Sequence, residues 1–298
     1  MKKTVQIKSL GELFPECVSA NDLKGKVNCL LLDGQEITDR FSSTLFLKAS
    51  IAILVLSGTS QVEINYKTYP IGVNAVILLS ASHLFSFKEV SRELQCLCLF
   101  VGKSFTEEMG STDMIYRRIK YGVRLYNAPV LRLKAEEAGL ICQRMTELGR
   151  VIDNPGHLYY KELILNSLLA FYLDLSDIID RDKIYTEGNL NRYESIIKEF
   201  IGLLMVHYRE KHKVEFYASR LHLSAHYLTL IVKRITGQTV CYFIFEMIYS
   251  DARSLLSDSR LSVQEITSLL HFSDQSAFGK FFKRRSGLSP VDYRKRYG

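Results

Sequence analysis

Residues 267–287 read TSLLHFSDQSAFGKFFKRRSG, and residues 218–237 read ASRLHLSAHYLTLIVKRITG. The two stretches are one unit written twice. Ala218 through Ser224 match Thr267 through Ser273 at an offset of 49. Leu228, Ile231, Val232, Lys233, Arg234, Thr236 and Gly237 then match Phe278, Phe281, Phe282, Lys283, Arg284, Ser286 and Gly287 at an offset of 50. The change of offset predicts one residue inserted early in the second copy's last helix. Each copy has the parts of a helix-turn-helix: a short helix ending at Leu221 or Leu270, a three-residue turn, and a helix with an apolar stripe and a basic end. The motifs span 214–237 and 263–287. The residue after the first helix needs a left-handed backbone, which Gly tolerates best and His better than most, so His222 and His271 are predicted at positive φ. Ser224 and Ser273 are predicted to cap the second helices, and Gly237 and Gly287 to end them.

One copy alone is equally an ordinary pair of helices; two basic copies in tandem point to nucleic acid. Between them, 240–256 is a continuous helical pattern of about 17 residues, roughly 25 Å long. A spacer of that length suits two helices presented to major-groove segments about 34 Å apart.

Charge supports the same division. The chain of 298 residues has a formal net charge of +7. Residues 1–196 carry 23 basic and 23 acidic side chains, whereas 197–298 carry 16 basic against 9 acidic, so the whole excess lies in the repeat-bearing third. A basic segment on a neutral one suggests a polyanionic partner. Hydrophobic residues at 47% and charged residues at 24% are ordinary globular usage, which excludes a disordered or collagen-like chain and implies two or three domains. The longest strongly apolar run, 51–56, is too short to cross a bilayer, and the basic start MKKTVQIK has no apolar signal core. No membrane partner and a cytoplasmic location are expected. Six cysteines without a C-x-x-C pair read as reduced core thiols, with Cys96 and Cys98 on one face of a strand.

The neutral part changes period once. Segments 27–32, 44–56, 61–66, 76–79, 84–88 and 94–101 are β-like, separated by turn signals such as Asp33-Gly34 and Ser57-Gly58, and predict a sandwich or barrel. Past 104, Leu133, Leu140, Ile141, Met145, Leu148 and Ile152 fall on one helix face, which Asn154-Pro155-Gly156 stops. Residues 158–175 are apolar nearly all round, as a helix buried in a domain or against another subunit would be. Residues 177–190 are polar and read as a linker.

The closing stretch FFKRRSGLSPVDYR, 281–294, together with HFSDQS at 271–276, resembles the signature of the AraC/XylS transcription regulators. The resemblance covers about 190–298. Ser289 and Pro290, with Asp292 behind them, also form a local helix start. The N-terminal part resembles, less specifically, the sensory half of that family, with residues 58–71 like the hairpin of a cupin barrel. The implied fold is α+β multidomain: a cupin-like β-barrel over 1–104, a helical subdomain used for dimerisation over 105–176, a linker over 177–190, and over 191–298 an all-α domain of two helix-turn-helix motifs joined by a linker helix.

The resemblance implies a sequence-specific regulator whose partners are double-stranded promoter DNA, a second copy of itself, RNA polymerase and a small-molecule effector in the barrel. It places His226, Thr229 and Leu230 of the first recognition helix, and Gln275, Ser276, Gly279 and Lys280 of the second, against base edges. Gln275 suits adenine and Lys280 guanine, while Leu230 and Gly279 offer only shape or apolar contact. Ser224, Lys233, Arg234, Lys283 and Arg284 fall at phosphates. Three positions depart from the family: Ile248 where an Arg is common, Thr267 for a small Ala, and His271 for the turn Gly. The competing readings are a cupin metal enzyme and an effector-independent DNA binder. Metal-binding barrels need clustered His and Glu, and His83 is the only histidine before His157, so no metal, cofactor or catalysis is expected.

Overall fold

The computed structural model describes residues 6–15, 23, 26–80, 83–102, 105, 128–181, 192–257 and 260–297. These described residues fall into two units, 6–181 and 192–297. In the first, β1 (Gln6–Lys8) and α1 (Leu10–Leu13) precede β2 (Val27–Asp33) and α2 (Gly34–Phe41). Seven strands follow: β3 (Leu45–Leu47), β4 (Ala49–Ser57), β5 (Ser60–Ile64), β6 (Lys67–Ile71), β7 (Ala75–Leu79), β8 (Leu84–Lys88) and β9 (Gln95–Gly102). The unit closes with β10 (Val130–Arg132), α3 (Ala135–Ile152) and α4 (Tyr160–Arg181). The strands form two five-stranded sheets, ordered β1-β3-β8-β5-β6 and β10-β7-β4-β9-β2.

Burial explains the sequence pattern of these strands. On β4, Ile51, Ile53 and Val55 join Val62, Phe85 and Phe87 of the other sheet in one core. Ala52 and Leu54 point the opposite way, into a second core with α3 and α4. A strand buried on both faces loses its polar alternation, which is why 51–56 is continuously apolar. β5, by contrast, alternates buried Val62 and Ile64 with half-buried Gln61 and Glu63, because only one of its faces meets the core. Cys96 and Cys98 lie together in the first core. Burial pushes the Cys96 thiol up to about 12. Cys241, expected in a core, is instead exposed, and Cys17 lies outside the described residues.

Asp33-Gly34, read as a turn, begins α2. The Asp33 carboxylate accepts from Glu36 N at 2.9 Å and Glu36 Oε2 accepts from Asp33 N at 3.1 Å. This reciprocal capping box was readable as D-x-x-E. The helix carries fully buried Ile37 and Phe41 into the first core, where Phe41 stacks on Phe100. The buried His83 accepts from Ser80 N at 2.9 Å through Nδ1, which gives this lone histidine a place in a turn. Among the described residues no group of three or more His, Cys, Asp or Glu could hold a metal ion.

The run 158–175 is resolved by α4, whose Ile164, Leu168, Phe171 and Leu175 pack with Ile141, Met145 and Leu148 of α3 in the second core. Each such side chain, fully buried, contributes about 1.5–3 kcal/mol. The linker does not begin at 177: α4 continues to Arg181, because Ile178 and Ile179 remain buried and Arg181 Nε reaches Asp177 Oδ1 one turn back at 2.9 Å. Residues 182–190 of the expected linker lie outside the described residues.

Among its described residues the second unit holds helices and no strand: α5 (Arg192–His207), α6 (Val214–Arg220), α7 (Ala225–Thr236), α8 (Val240–Ser257), α9 (Val263–Leu269), α10 (Gln275–Ser286) and α11 (Pro290–Tyr297). The described residues thus form two β-sheets with helices in the N-terminal part and helices alone in the C-terminal part, as the two periods predict. Among the described residues no single helix is long and apolar enough to cross a membrane.

Candidate nucleic-acid interface

Each motif is built by the same local chemistry. In the first, α6 is followed by its C-cap Leu221, and the chain turns through His222 at φ 56°. Leu223 N donates back to Ala218 O at 2.9 Å. In the second, α9 is followed by its C-cap Leu270, His271 sits at φ 50°, and Phe272 N donates to Thr267 O at 3.1 Å. Both histidines thus take the left-handed backbone that the turn requires. An L-residue there carries a steric penalty of about 1–2 kcal/mol, partly offset by glycine's larger entropy loss. His271→Gly is therefore expected to leave thermal stability unchanged or raise it by up to about 1 kcal/mol, whereas His271→Val should lower it by more than about 1 kcal/mol. Thermal denaturation of the two variants checks both signs.

The second helix of the first motif, α7, is capped by Ser224, whose Oγ accepts from Tyr227 N at 3.1 Å. Ser273 does not do the same for α10. The cap is Asp274, which accepts from Ala277 N at 2.7 Å, while Ser273 Oγ donates to Asp274 Oδ2 at 2.9 Å. The Ala277 amide, with the Ser273 hydroxyl beside it, holds the Asp274 carboxyl below its ordinary range. The residue inserted in the second copy is therefore in the turn, before the helix rather than within it. Beyond that point the copies agree down to single bonds. Thr236 Oγ1 donates to Val232 O at 2.7 Å, and Ser286 Oγ to Phe282 O at 2.9 Å. Gly237 at φ 74° and Gly287 at φ 77° then end the helices, each N–H returning to the carbonyl of Lys233 or Lys283 at 2.9 Å.

Capping and packing fix which faces remain outside. Leu228, Ile231, Val232 and Ile235 of α7 are buried. His226, Leu230, Lys233 and Arg234 are exposed, and Thr229 is half-buried. On α10, Phe278 and Phe282 are buried inside an aromatic cluster with Phe272, Phe281 and Tyr293, at ring separations of 5.1–5.9 Å. Gln275, Ser276, Lys280, Lys283 and Arg284 are exposed, and Gly279 is half-buried. Positions three and four apart share a helix face, so 226, 229, 230 and 233 form one stripe and 276, 279, 280 and 283 its counterpart. Ser224 is also exposed, at the amide end of α7. The basic residues sit in the last turns of α7 and α10, where cations complement the helix dipole.

Helix α8 holds the two motifs in one unit. Arg209 Nε and Nη2 reach the Asp251 carboxylate at 2.5 and 3.0 Å, and Tyr208 Oη donates to it at 3.0 Å. Glu246, buried on the same helix, is paired with Arg285 at the end of α10. Arg294 Nε donates to Leu256 O at 3.2 Å, and His212 packs on Phe272 at 5.2 Å between ring centres. The departures from the family sit inside this frame. Ile248 is fully buried, and buried Thr267 satisfies its hydroxyl on Val263 O at 2.8 Å. α11 starts as the sequence predicts, with Asp292 N donating to Ser289 Oγ at 3.1 Å. Glu246, Asp251, Arg209 and Arg285 were not singled out from the sequence. Their signal was present: lone carboxylates in the otherwise apolar VCYFIFEMIYSDA demand buried partners.

Comparison with known proteins agrees with this anatomy. A family described as a helix-turn-helix domain matches residues 217–296. The chain is 31% identical over 110 residues to the Msm operon regulatory protein of Streptococcus mutans, covering 37% of each protein. It is 27% identical over 170 residues to the raffinose operon transcriptional regulatory protein RafR of Pediococcus pentosaceus, 56% of this chain and 59% of that one. The chain thus spans no more than about three-fifths of the length of these curated relatives. Among solved structures, the unsaturated fatty acid-bound ToxT of Vibrio cholerae aligns over 90% of this chain and 94% of its own, at 16% identity and a TM-score of 0.34. The C-terminal region of this chain is a helix-turn-helix domain of the AraC type.

Proposed function

We propose that this chain is a sequence-specific transcription regulator that lays α7 and α10 into successive major-groove segments of promoter DNA. The observation that carries the reading is the pair of outward stripes at equivalent places in the repeat, each backed by a buried apolar stripe and each ending in exposed cations. His226, Thr229 and Leu230 face bases in one half-site, and Gln275, Ser276, Gly279 and Lys280 in the other. Ser224, Lys233, Arg234, Lys283 and Arg284 meet phosphates, as N-terminal hydroxyls and helix-end cations do in such complexes. The N-terminal unit, with two cores of its own, is the sensory half: a cupin-like barrel for a small-molecule effector, and helices within 105–176 that pair two copies. An effector acts by favouring one arrangement of the halves, and RNA polymerase is the downstream partner, in the cytoplasm. The chain performs no catalysis in this reading.

The test is selection. The full chain is expected to enrich one shared sequence from a randomised duplex pool and to bind it at least about 10³-fold tighter than unselected duplex. Equal affinity for all duplexes, or none, would overturn the reading.

A further inference from the structure

The two outward stripes are not alike. At the centre of the α7 stripe stands Leu230, an aliphatic side chain left 49% exposed, beside Thr229. Of the three base-facing positions on α7, only His226 carries a nitrogen, and none carries an amide or a permanent charge. At the equivalent places α10 presents Ser276 and Lys280, with Gln275 just before them at the helix start, all exposed and all able to donate. Between them is Gly279, opposite Thr229 in the repeat. A side chain built at Gly279 would meet nothing within 4 Å, so packing inside the protein does not require the glycine. A mid-helix glycine nevertheless weakens a helix relative to alanine. Gly139 on α3 and Gly202 on α5 are equally open, so open space alone is not the signal. What distinguishes Gly279 is its place in the middle of the donor stripe, where a missing Cβ lets helix backbone approach another surface closely.

We infer that the two motifs read unlike half-sites by unlike chemistry. Leu230 and the methyl of Thr229 on α7 read thymine methyl groups. Gln275 and Lys280 on α10, brought close by Gly279, read purine N7 and the exocyclic group beside it. This rests on the DNA-binding reading above and specifies its target: a two-part site with a thymine-dependent half and a purine-dependent half. The pairings follow groove chemistry, in which the thymine 5-methyl is the apolar feature of the major groove and N7 with O6 or N6 offers the bidentate edge.

The experiment uses the full chain and the duplex it enriches from a pool randomised over about 30 base pairs, enough for two half-sites one helical turn apart. Deoxyuridine replaces thymine, removing only the methyl; 7-deazapurine replaces purine, removing only the N7 acceptor. Deoxyuridine in one half is expected to weaken binding about fourfold per contacted methyl, and Leu230→Ala should lose that discrimination at the thymine Leu230 contacts while keeping it at the one Thr229 contacts. A 7-deazapurine in the other half should weaken binding about tenfold, an effect absent in Gln275→Ala or Lys280→Ala. Gly279→Ala and Gly202→Ala should both raise the melting temperature by about 2–4 °C, but only Gly279→Ala should weaken binding, by about tenfold. Indifference to deoxyuridine in both halves, or wild-type affinity in Gly279→Ala, overturns this inference while leaving the DNA-binding reading intact. Failure to enrich any duplex overturns both.

Discussion

Raising monovalent salt from about 50 mM to about 200 mM is expected to weaken binding of the full chain to duplex DNA about a hundredfold. The magnitude follows from the charges that the fold leaves outside. Lys233, Arg234, Lys283 and Arg284 are exposed at the C-terminal ends of α7 and α10. If each meets one phosphate, four counterions are displaced, and the logarithm of affinity falls with the logarithm of salt at a slope of about −3.6. A fourfold rise in salt at that slope is about two powers of ten. Lys233→Ala should flatten the slope by about 0.9 and weaken every duplex by a similar factor. Gln275→Ala should leave the slope alone and narrow the preference between sequences, by about 1–3 kcal/mol of discrimination. Anisotropy titrations over a salt series, on the selected and a scrambled duplex, separate these outcomes. A slope near zero, or a Lys233→Ala slope equal to wild type, contradicts the assignment of these cations to phosphates.

Arg285 is not counted among the four, although it continues the run Lys283-Arg284. Its guanidinium turns inward to Glu246 and lies over the rings of Tyr249 and Phe281, at 5.9 and 5.7 Å. The sequence shows three adjacent cations, and the fold assigns two to the outside and one to the frame. This is the kind of distinction that a charge count cannot make, because it depends on which α8 residue faces the end of α10.

Much of the C-terminal unit was legible because its determinants are local. Positive φ at His222 and His271, left-handed glycines at the helix ends, the Ser224 cap and the Ser289–Asp292 start each depend on a few neighbouring residues. The Ser273 cap failed for an equally local reason: a stronger acceptor, Asp274, lies one residue further on, and the extra residue belongs to the turn. The first unit was legible in its strands, whose period follows burial, but not in its pairing partners. α2 was hidden because Asp33-Gly34 suits both a turn and a capped helix, and only the core position of Ile37 and Phe41 decides between them. The end of α4 was hidden because polar 177–181 looks like linker, while Ile178 and Ile179 keep it anchored. The ion pairs of the buried carboxylates Asp251 and Glu246 were the least legible feature, since each joins residues about 40 positions apart.

Those pairs make the second large prediction. Glu246 retains 6% of its side-chain surface, whereas Arg285 retains 24%. Arg285→Met strips a buried carboxylate of its partner and is expected to destabilise the C-terminal unit by about 3 kcal/mol, the lower end for broken buried pairs because Arg285 is not wholly dry. Glu246→Met should destabilise it less. The arginine left behind can extend to water and still has two aromatic faces beneath it, whereas the carboxylate has neither escape. Replacing both by Met should recover most of the loss, since two desolvated charges are exchanged for apolar packing of similar volume. Denaturant unfolding of the four proteins gives the order: wild type near the double variant, then Glu246→Met, then Arg285→Met. The order also bears on function. If the pair serves only stability, the double variant binds DNA as wild type does. If it also fixes α10 against α8, the double variant regains its stability but tolerates insertion of one base pair between half-sites better than wild type. Equal destabilisation by the two single variants would mean that Glu246 reaches solvent as readily as Arg285, contrary to its burial on α8.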